Sequence, residues 1–269
     1  MNLPDNFSFS QHNLQDFADC KYRFYLRHIR NLEWPAVESE PLKLQEEKME
    51  LGFQFHKLVQ QYFSGISPQI LTETIEIPEL STWWNKFLEL NIDEIAGVKH
   101  SEKLLSTTMV GHRLVAKYDL LVLHGSGKIT IFDWKTSSNQ PARINLIKRI
   151  QSKVYPAVIM SQKNTASPFR LDNPADLEMI YWYPAFPETP VKFQYSQSQY
   201  DDDDHLIEGM IEQILAMPDE DFHKTPDERK CSFCRYRSLC ERGIIAGVNS
   251  DEESEFSSDD AFDINFDAL

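Results

Sequence analysis

The sequence has few cysteines, no long apolar run and no excess of positive charge. Cysteine occurs only four times in 269 residues. No run of about 18 apolar residues is present, which excludes a membrane-spanning helix. Residues 1–10 contain neither a basic start nor an apolar stretch, so they do not resemble a signal peptide. We therefore expect a cytoplasmic protein, whose cysteines are metal ligands or free thiols rather than disulfides.

The net charge of −15 is unusual for a protein that binds nucleic acid, because phosphate groups are bound by Lys and Arg. Much of the negative charge is local, however: eight acidic residues follow Arg242, and four more form the run at residues 201–204. The basic residues form clusters at residues 21–30, 143–153 and 224–242. Each cluster is equally well explained as ordinary solvated surface, so charge alone does not decide the function.

Hydrophobic residues make up 41% of the chain and aromatic residues 12%, as in folded globular proteins. The predicted helices are one capped by Ser10 and those at residues 44–63, 82–95, 142–160 and 199–217, with a kink at Pro156 in the fourth. The predicted strands are residues 103–110, 113–123, 128–134, 177–184 and 191–195. This order predicts an α/β or α+β domain over residues 1–242, with a central mixed sheet flanked by helices. Residues 243–269 are predicted to be an acidic, disordered tail.

Two carboxylates and a lysine are predicted to meet at one hairpin. Asp119 lies within an apolar strand and Asp133 ends the next one, positions that are costly for a carboxylate without a partner. Asp133 and Lys135 are two residues apart and therefore share a face of the strand. Pairing through the turn at residues 124–127 brings Asp119 alongside them. Such a group suits phosphodiester hydrolysis, although a structural ion pair also explains the Asp-x-Lys motif taken alone.

Other residues extend this pattern. His56 lies in the middle of a predicted helix, four residues after Gly52, and Gln151 and Tyr155 are one helical turn apart. Singly, each has an ordinary structural explanation. In chain order the motifs are G-x-x-x-H, D, D-x-K and Q-x-x-x-Y. Together with the N-terminal segment at residues 8–25, these motifs cover most of residues 7–240. This combination resembles the RecB-like nucleases of the PD-(D/E)XK superfamily.

The resemblance implies a restriction-endonuclease-like fold and a Mg²⁺- or Mn²⁺-dependent DNA nuclease, acting as an exonuclease in repair, recombination or defence. The metal ligands that it implies are His56, Asp119, Asp133 and the main-chain carbonyl of Trp134. Lys135 would position water or stabilise charge, while Gln151 and Tyr155 would shape the site and contact the DNA backbone. DNA, single-stranded or at duplex ends, is the implied partner. A helicase or repair protein is a further candidate partner, and no membrane is expected.

The cysteines supply a second pattern. Cys231, Cys234 and Cys240 are spaced C-x2-C-x5-C, and Cys20 lies far away near the N-terminus. Four thiolates suit zinc or a [4Fe–4S] cluster. One cysteine before the nuclease motifs and three after them resembles the iron-staple nucleases of the AddB and CRISPR-associated adaptation exonuclease type, which implies the [4Fe–4S] cluster. Such a cluster would join the N-terminal helical part to the C-terminal cysteine-rich segment.

Two other functions remain open from the sequence. The first is a catalytically silent, nuclease-like scaffold that binds DNA or a partner and is stabilised by the iron–sulfur cluster or by zinc. The intact set of His56, Asp119, Asp133 and Lys135 argues against it. The second is a zinc-stabilised interaction protein, for which the acidic tail at residues 249–269 would be the main functional feature.

Overall fold

The computed structural model describes residues 3–4, 6–36 and 38–247 of the chain. Most of the predicted acidic tail, from residue 248 onward, lies outside the described residues, so its disorder stays a prediction. Within the described ranges, no helix is long and apolar enough to cross a membrane.

One six-stranded mixed sheet forms the centre of the described part of the chain. Its strands are β1 (Ser8–Phe9), β2 (Val98–Met109), β3 (His112–Leu123), β4 (Ile129–Trp134), β5 (Leu177–Trp182) and β6 (Val191–Gln194). The order is β1-β3-β4-β5-β6, and β2 covers the other edge of β3. The β1–β3 and β4–β5 pairs are parallel, and the remaining pairs are antiparallel. The predicted central mixed sheet is therefore confirmed.

Helices cover both faces of this sheet. The α-helices are α1 (Gln11–Asp19), α2 (Lys21–Phe24), α3 (Glu40–Phe63), α4 (Pro68–Glu73), α5 (Pro78–Glu89), α6 (Arg143–Lys148), α7 (Gln151–Met160) and α8 (Gln197–Ala216). A π-helical turn, Tyr25–Ile29, follows α2, and 3-10 helices occur at Ile92–Glu94, Ser161–Asn164, Pro174–Asp176, Asp219–Asp221 and Glu228–Cys231. The core on one face combines the sheet with α1, α7 and α8. The core on the other face combines it with α3 and α5 and is rich in tryptophan.

The helix that is predicted to begin after Ser10 is interrupted, and it forms α1 and α2. Ser10 caps α1 as predicted: its hydroxyl accepts from the main-chain N–H of Asn13, whose side chain in turn accepts from the main-chain N–H of Ser10. The backbone becomes extended at Cys20, with φ −160° and ψ 106°, before α2 begins. Cys20 therefore lies at a bend between two helices rather than inside one.

Residues 142–160, predicted as one helix with a kink at Pro156, form two helices. The break lies at Arg149, whose backbone is extended with φ −64° and ψ 144°. Helix α7 then continues through Pro156. At the break, the main-chain N–H of Ile150 donates to the side chain of Gln15 on α1, at 3.4 Å. The prediction of one continuous helix is therefore wrong.

The side chains of β3 change face at Asp119. Before this residue, Ala116 and Tyr118 belong to the core beneath α1 and α7. After it, Leu120 and Val122 belong to the core beneath α3 and α5. Regular alternation would keep these four side chains on one face of the sheet. The strand is therefore irregular at the residue for which the sequence predicts a metal-binding role.

Candidate metal centre

Asp119 and Asp133 lie at the end of the β3–β4 ladder. The register pairs Leu120 with Phe132, so the two carboxylates occupy the next position along the two strands. The main-chain N–H of Trp134 donates to Oδ2 of Asp119 at 2.8 Å. This hydrogen bond holds the Asp119 carboxylate against β4 and fixes its orientation.

A group of potential metal ligands forms around Asp119. One ligand atom each from His56, Glu102 and Asp119 lies within 4.8 Å of the others. His56 reaches the site from α3, and its Nδ1 is 3.3 Å from Oδ1 of Asp119. One imidazole nitrogen and two carboxylates suit a divalent ion such as Mn²⁺ or Mg²⁺. Sequence reasoning missed Glu102, which stands one residue before the predicted strand at residues 103–110.

Glu102 has an unusual environment. Its φ of 52° lies in the left-handed region, which costs a residue other than glycine about 1–3 kcal/mol. Its Oε2 forms an ion pair with Nζ of Lys117. Burial raises the pKa of the Glu102 carboxyl above its ordinary value and the charge of Asp119 adds to this, whereas Lys117 and His56 act in the opposite direction. The protein therefore holds two carboxylates close together, an arrangement that a bound cation would stabilise.

Asp133 and Lys135 form a buried ion pair next to this group. Lys135 Nζ lies 2.8 Å from Oδ2 of Asp133, and Asp133 is 0% exposed. The amide of Gln151, at the first turn of α7, donates to Oδ1 of Asp133 at 2.7 Å. The structure thus places Lys135 and Gln151 on opposite oxygens of one carboxylate. The two-residue spacing of Asp133 and Lys135 brings both side chains to one side of the strand.

Trp134 and Tyr155 occupy buried positions near the site. The Trp134 ring packs edge-on against Phe87, with centroids 5.5 Å apart, so its contribution to the site comes from its main chain. Tyr155 is 2% exposed. Its hydroxyl accepts from the side chain of Gln11 at 3.1 Å, and its ring lies 4.7 Å from that of Tyr118. Tyr155 therefore stabilises the packing of α7 against α1 and β3 in this structure.

The four cysteines come from two ends of the chain and are all free, partly buried thiols. Cys20 lies at the bend between α1 and α2, and Cys231 ends a 3-10 helix. Burial raises the pKa of the Cys240 thiol to about 11, and the charges of Cys234, Cys20 and Cys231 contribute. Lys230, next to Cys231, pairs with Asp19, next to Cys20, so the two ends of the chain that carry the cysteines are in contact. Their donor set therefore fits a metal group that binds thiolates.

Direct contacts also join the N-terminal helices to the cysteine-rich segment. The main-chain N–H of Tyr22 donates to the carbonyl of His223 at 3.1 Å. Lys230 Nζ lies 2.9 Å from Asp19 Oδ1. The indole N–H of Trp34 donates to the Ser238 hydroxyl at 2.8 Å. The two segments are thus in contact independently of any metal group.

Two residues of the basic cluster at residues 21–30 form ion pairs with Asp16. Arg23 Nε lies 2.7 Å from Asp16 Oδ1 and Arg27 lies 3.3 Å from Oδ2. Burial alone would raise the pKa of Asp16, but the charges of Arg23 and Arg27 hold it well below its ordinary value. Burial raises the pKa of the Cys234 thiol, and the positive charge of Arg23 opposes this effect. Arg23 is therefore a counter-charge for Asp16 and for the cysteine group.

Comparison with known proteins identifies a family and a similar fold. A family model described as the PD-(D/E)XK nuclease superfamily matches residues 8–241. A solved structure described as a putative exonuclease from Eubacterium rectale superimposes with a TM-score of 0.52 and 14% identity, covering 88% of this chain and 93% of that chain. A second solved structure, SSO0001, has a TM-score of 0.40 and 10% identity over 71% of this chain and 95% of its own. No curated protein matches the chain.

Proposed function

This chain belongs to the PD-(D/E)XK nuclease superfamily and has its restriction-endonuclease-like fold, and on that premise we propose that it is a cytoplasmic, Mg²⁺- or Mn²⁺-dependent DNA exonuclease. The pathway that we propose for it is DNA repair, recombination or defence. The observation that carries the proposal is the position of Asp119 and Asp133 at one end of the β3–β4 ladder, with His56 beside the first carboxylate and Lys135 beside the second.

The residues divide into metal ligands and residues that orient them. We propose His56, Asp119, Asp133 and the main-chain carbonyl of Trp134 as the protein ligands. When bound, the ion would activate a water molecule and offset the charge that develops on the phosphate. The N–H of Trp134 orients Asp119, and Gln151 orients Asp133. Lys135, which pairs with Asp133, would supply a positive charge close to the phosphate.

The decisive test is cleavage of end-labelled DNA. Single-stranded and double-stranded oligonucleotides carrying a label at either end would be incubated with purified protein and Mg²⁺ or Mn²⁺. We expect stepwise shortening from an end, which the labelled products would report directly together with its polarity. Cleavage only at internal positions would replace the exonuclease assignment with an endonuclease. Absence of cleavage on all substrates with both ions would favour the silent scaffold.

A positioning role is expected for Gln151. Its amide donates to a carboxylate oxygen of the buried Asp133, so Gln151→Ala should leave the carboxylate present but less well oriented. We expect the cleavage rate to fall by about 10–100-fold, the usual effect of losing an outer-shell partner. The matched control is Gln162→Ala, because Gln162 is equally buried but binds main-chain carbonyls elsewhere. Equal losses in both variants would indicate a general effect on folding rather than a role for Gln151 in the site.

We further propose that Cys20, Cys231, Cys234 and Cys240 bind a [4Fe–4S] cluster. Thiolates are its usual protein ligands, and the contacts of Asp19 with Lys230 and of Tyr22 with His223, close to the cysteines on both segments, support a shared site. The cluster would connect the bend after α1 with the C-terminal segment. Zinc is the alternative metal for the same donor set, and elemental analysis distinguishes the two.

A further inference from the structure

We propose that Glu102 is a fourth side-chain ligand of the divalent metal ion, in addition to His56, Asp119 and Asp133, and that it lies in one group with the first two. The role rests on the proposed function, since both concern the same ion. The nuclease motifs in the sequence include no residue of β2, so Glu102 adds this strand to α3, β3 and β4, which carry the other proposed ligands.

The first support is the geometry of the donor atoms. His56, Glu102 and Asp119 approach from α3, β2 and β3, and one ligand atom from each lies within 4.8 Å of the other two. A carboxylate accepts at both of its oxygens. The ion pair between Lys117 and Oε2 of Glu102 is therefore compatible with metal coordination through Oε1.

The second support is the backbone of β2. Ser101 pairs with Leu120 and Lys103 pairs with Tyr118, so Glu102 stands opposite Asp119. At this position φ is 52°, a conformation that glycine adopts readily and glutamate does not favour. The side chains of β3 change face at the same place. A strained residue at such a position indicates a functional side chain, and here the carboxylate is directed to the ligand group.

The competing explanation is a structural ion pair between Glu102 and Lys117. Glu102→Gln and Lys117→Met separate the two explanations. Both break the ion pair, but only Glu102→Gln removes the carboxylate. We expect Glu102→Gln to weaken Mn²⁺ binding by at least roughly 10–100-fold. Loss of a residue that only orients a metal ligand already costs this much. Lys117→Met should bind Mn²⁺ as tightly as the unmodified protein, or more tightly, because a cation that competes for Glu102 has been removed.

Binding would be measured without DNA, by titration calorimetry and by the decrease of the free Mn²⁺ signal in electron paramagnetic resonance. A second variant, Glu102→Gly, guards against misfolding, because glycine suits a φ of 52°. It should keep the unfolding temperature of the metal-free protein while losing Mn²⁺ affinity. Glu178→Gln, on β5 of the same sheet, is the matched carboxylate control and should leave Mn²⁺ affinity unchanged.

The outcomes also separate this role from the proposed function. If Asp119→Asn weakens Mn²⁺ binding and both Glu102 variants do not, Glu102 is not a ligand and the nuclease site stands. Equal weakening by Glu102→Gln and Lys117→Met would identify the ion pair as structural and overturn the role. If Asp119→Asn leaves Mn²⁺ affinity unchanged, the metal site itself is misplaced, and the proposed function fails with it.

Discussion

Asp119→Asn and Asp133→Asn are each expected to lower DNA cleavage by at least roughly 10²–10³-fold, because losing one preorganised electrostatic contact to a transition state already costs this much. Asparagine keeps the size of the side chain and can still accept the hydrogen bond from the N–H of Trp134 or the amide of Gln151. The variants should therefore stay folded. Cleavage of end-labelled DNA would be compared in Mg²⁺ and Mn²⁺, and Mn²⁺ should serve at least as well, because His56 offers a nitrogen ligand.

A second buried ion pair provides the matched control. Asp203 on α8 binds Lys153 at 2.5 Å and the hydroxyl of Tyr195 at 3.1 Å, and none of these residues is a proposed ligand. Asp203→Asn should also reduce the unfolding temperature, since it leaves the half-buried Lys153 without its carboxylate. It should nevertheless cleave DNA at the rate of the unmodified protein. Undiminished cleavage by the Asp133 variant would remove Asp133 from the catalytic site.

The sequence predicts that Asp119, Asp133 and Lys135 lie close together, because the information for this arrangement is local. Asp133 and Lys135 share a strand face at a spacing of two, and a short turn brings Asp119 to the neighbouring strand. Ser10 similarly carries its own capping signal. In each case the contact depends on residues that are close in sequence or joined by one hairpin.

Glu102 and Tyr155 show where local information ends. Glu102 enters the ligand group through a left-handed backbone conformation in the middle of a strand, which no sequence pattern indicates for glutamate. Gln151 and Tyr155 lie one turn apart on α7, yet Gln151 binds Asp133 and Tyr155 binds Gln11. The two side chains therefore contact different elements of the fold: Gln151 contacts β4, and Tyr155 contacts α1. The helix break at Arg149, beside the hydrogen bond from Ile150 to Gln15, is likewise not indicated by the sequence.

Cys20→Ala is expected to remove the iron–sulfur cluster and to destabilise the fold. Protein purified without oxygen should be brown and contain about four irons per chain, as a [4Fe–4S] cluster requires, and the variant should lose the colour. Joining Cys20 to Cys231 closes a loop of about 211 residues, which by analogy with a disulfide stabilises the folded state by on the order of 5 kcal/mol. Hydrogen bonds from Tyr22 and Trp34 to the C-terminal segment remain in the variant, so the two segments should stay in contact in its folded state.

The control for this prediction is the unmodified protein after removal of its metal with a chelator. Its free energy of unfolding in urea should match that of Cys20→Ala, because both lack the cluster and retain the direct contacts, such as Lys230 with Asp19. A variant much less stable than the stripped protein would show that Cys20 acts through packing at the bend after α1. Stoichiometric zinc without iron, in protein produced with ample iron and no oxygen, would assign the four thiolates to zinc instead. In that case the link between the two segments would persist, because four thiolates around one zinc ion also join Cys20 to the C-terminal cysteines.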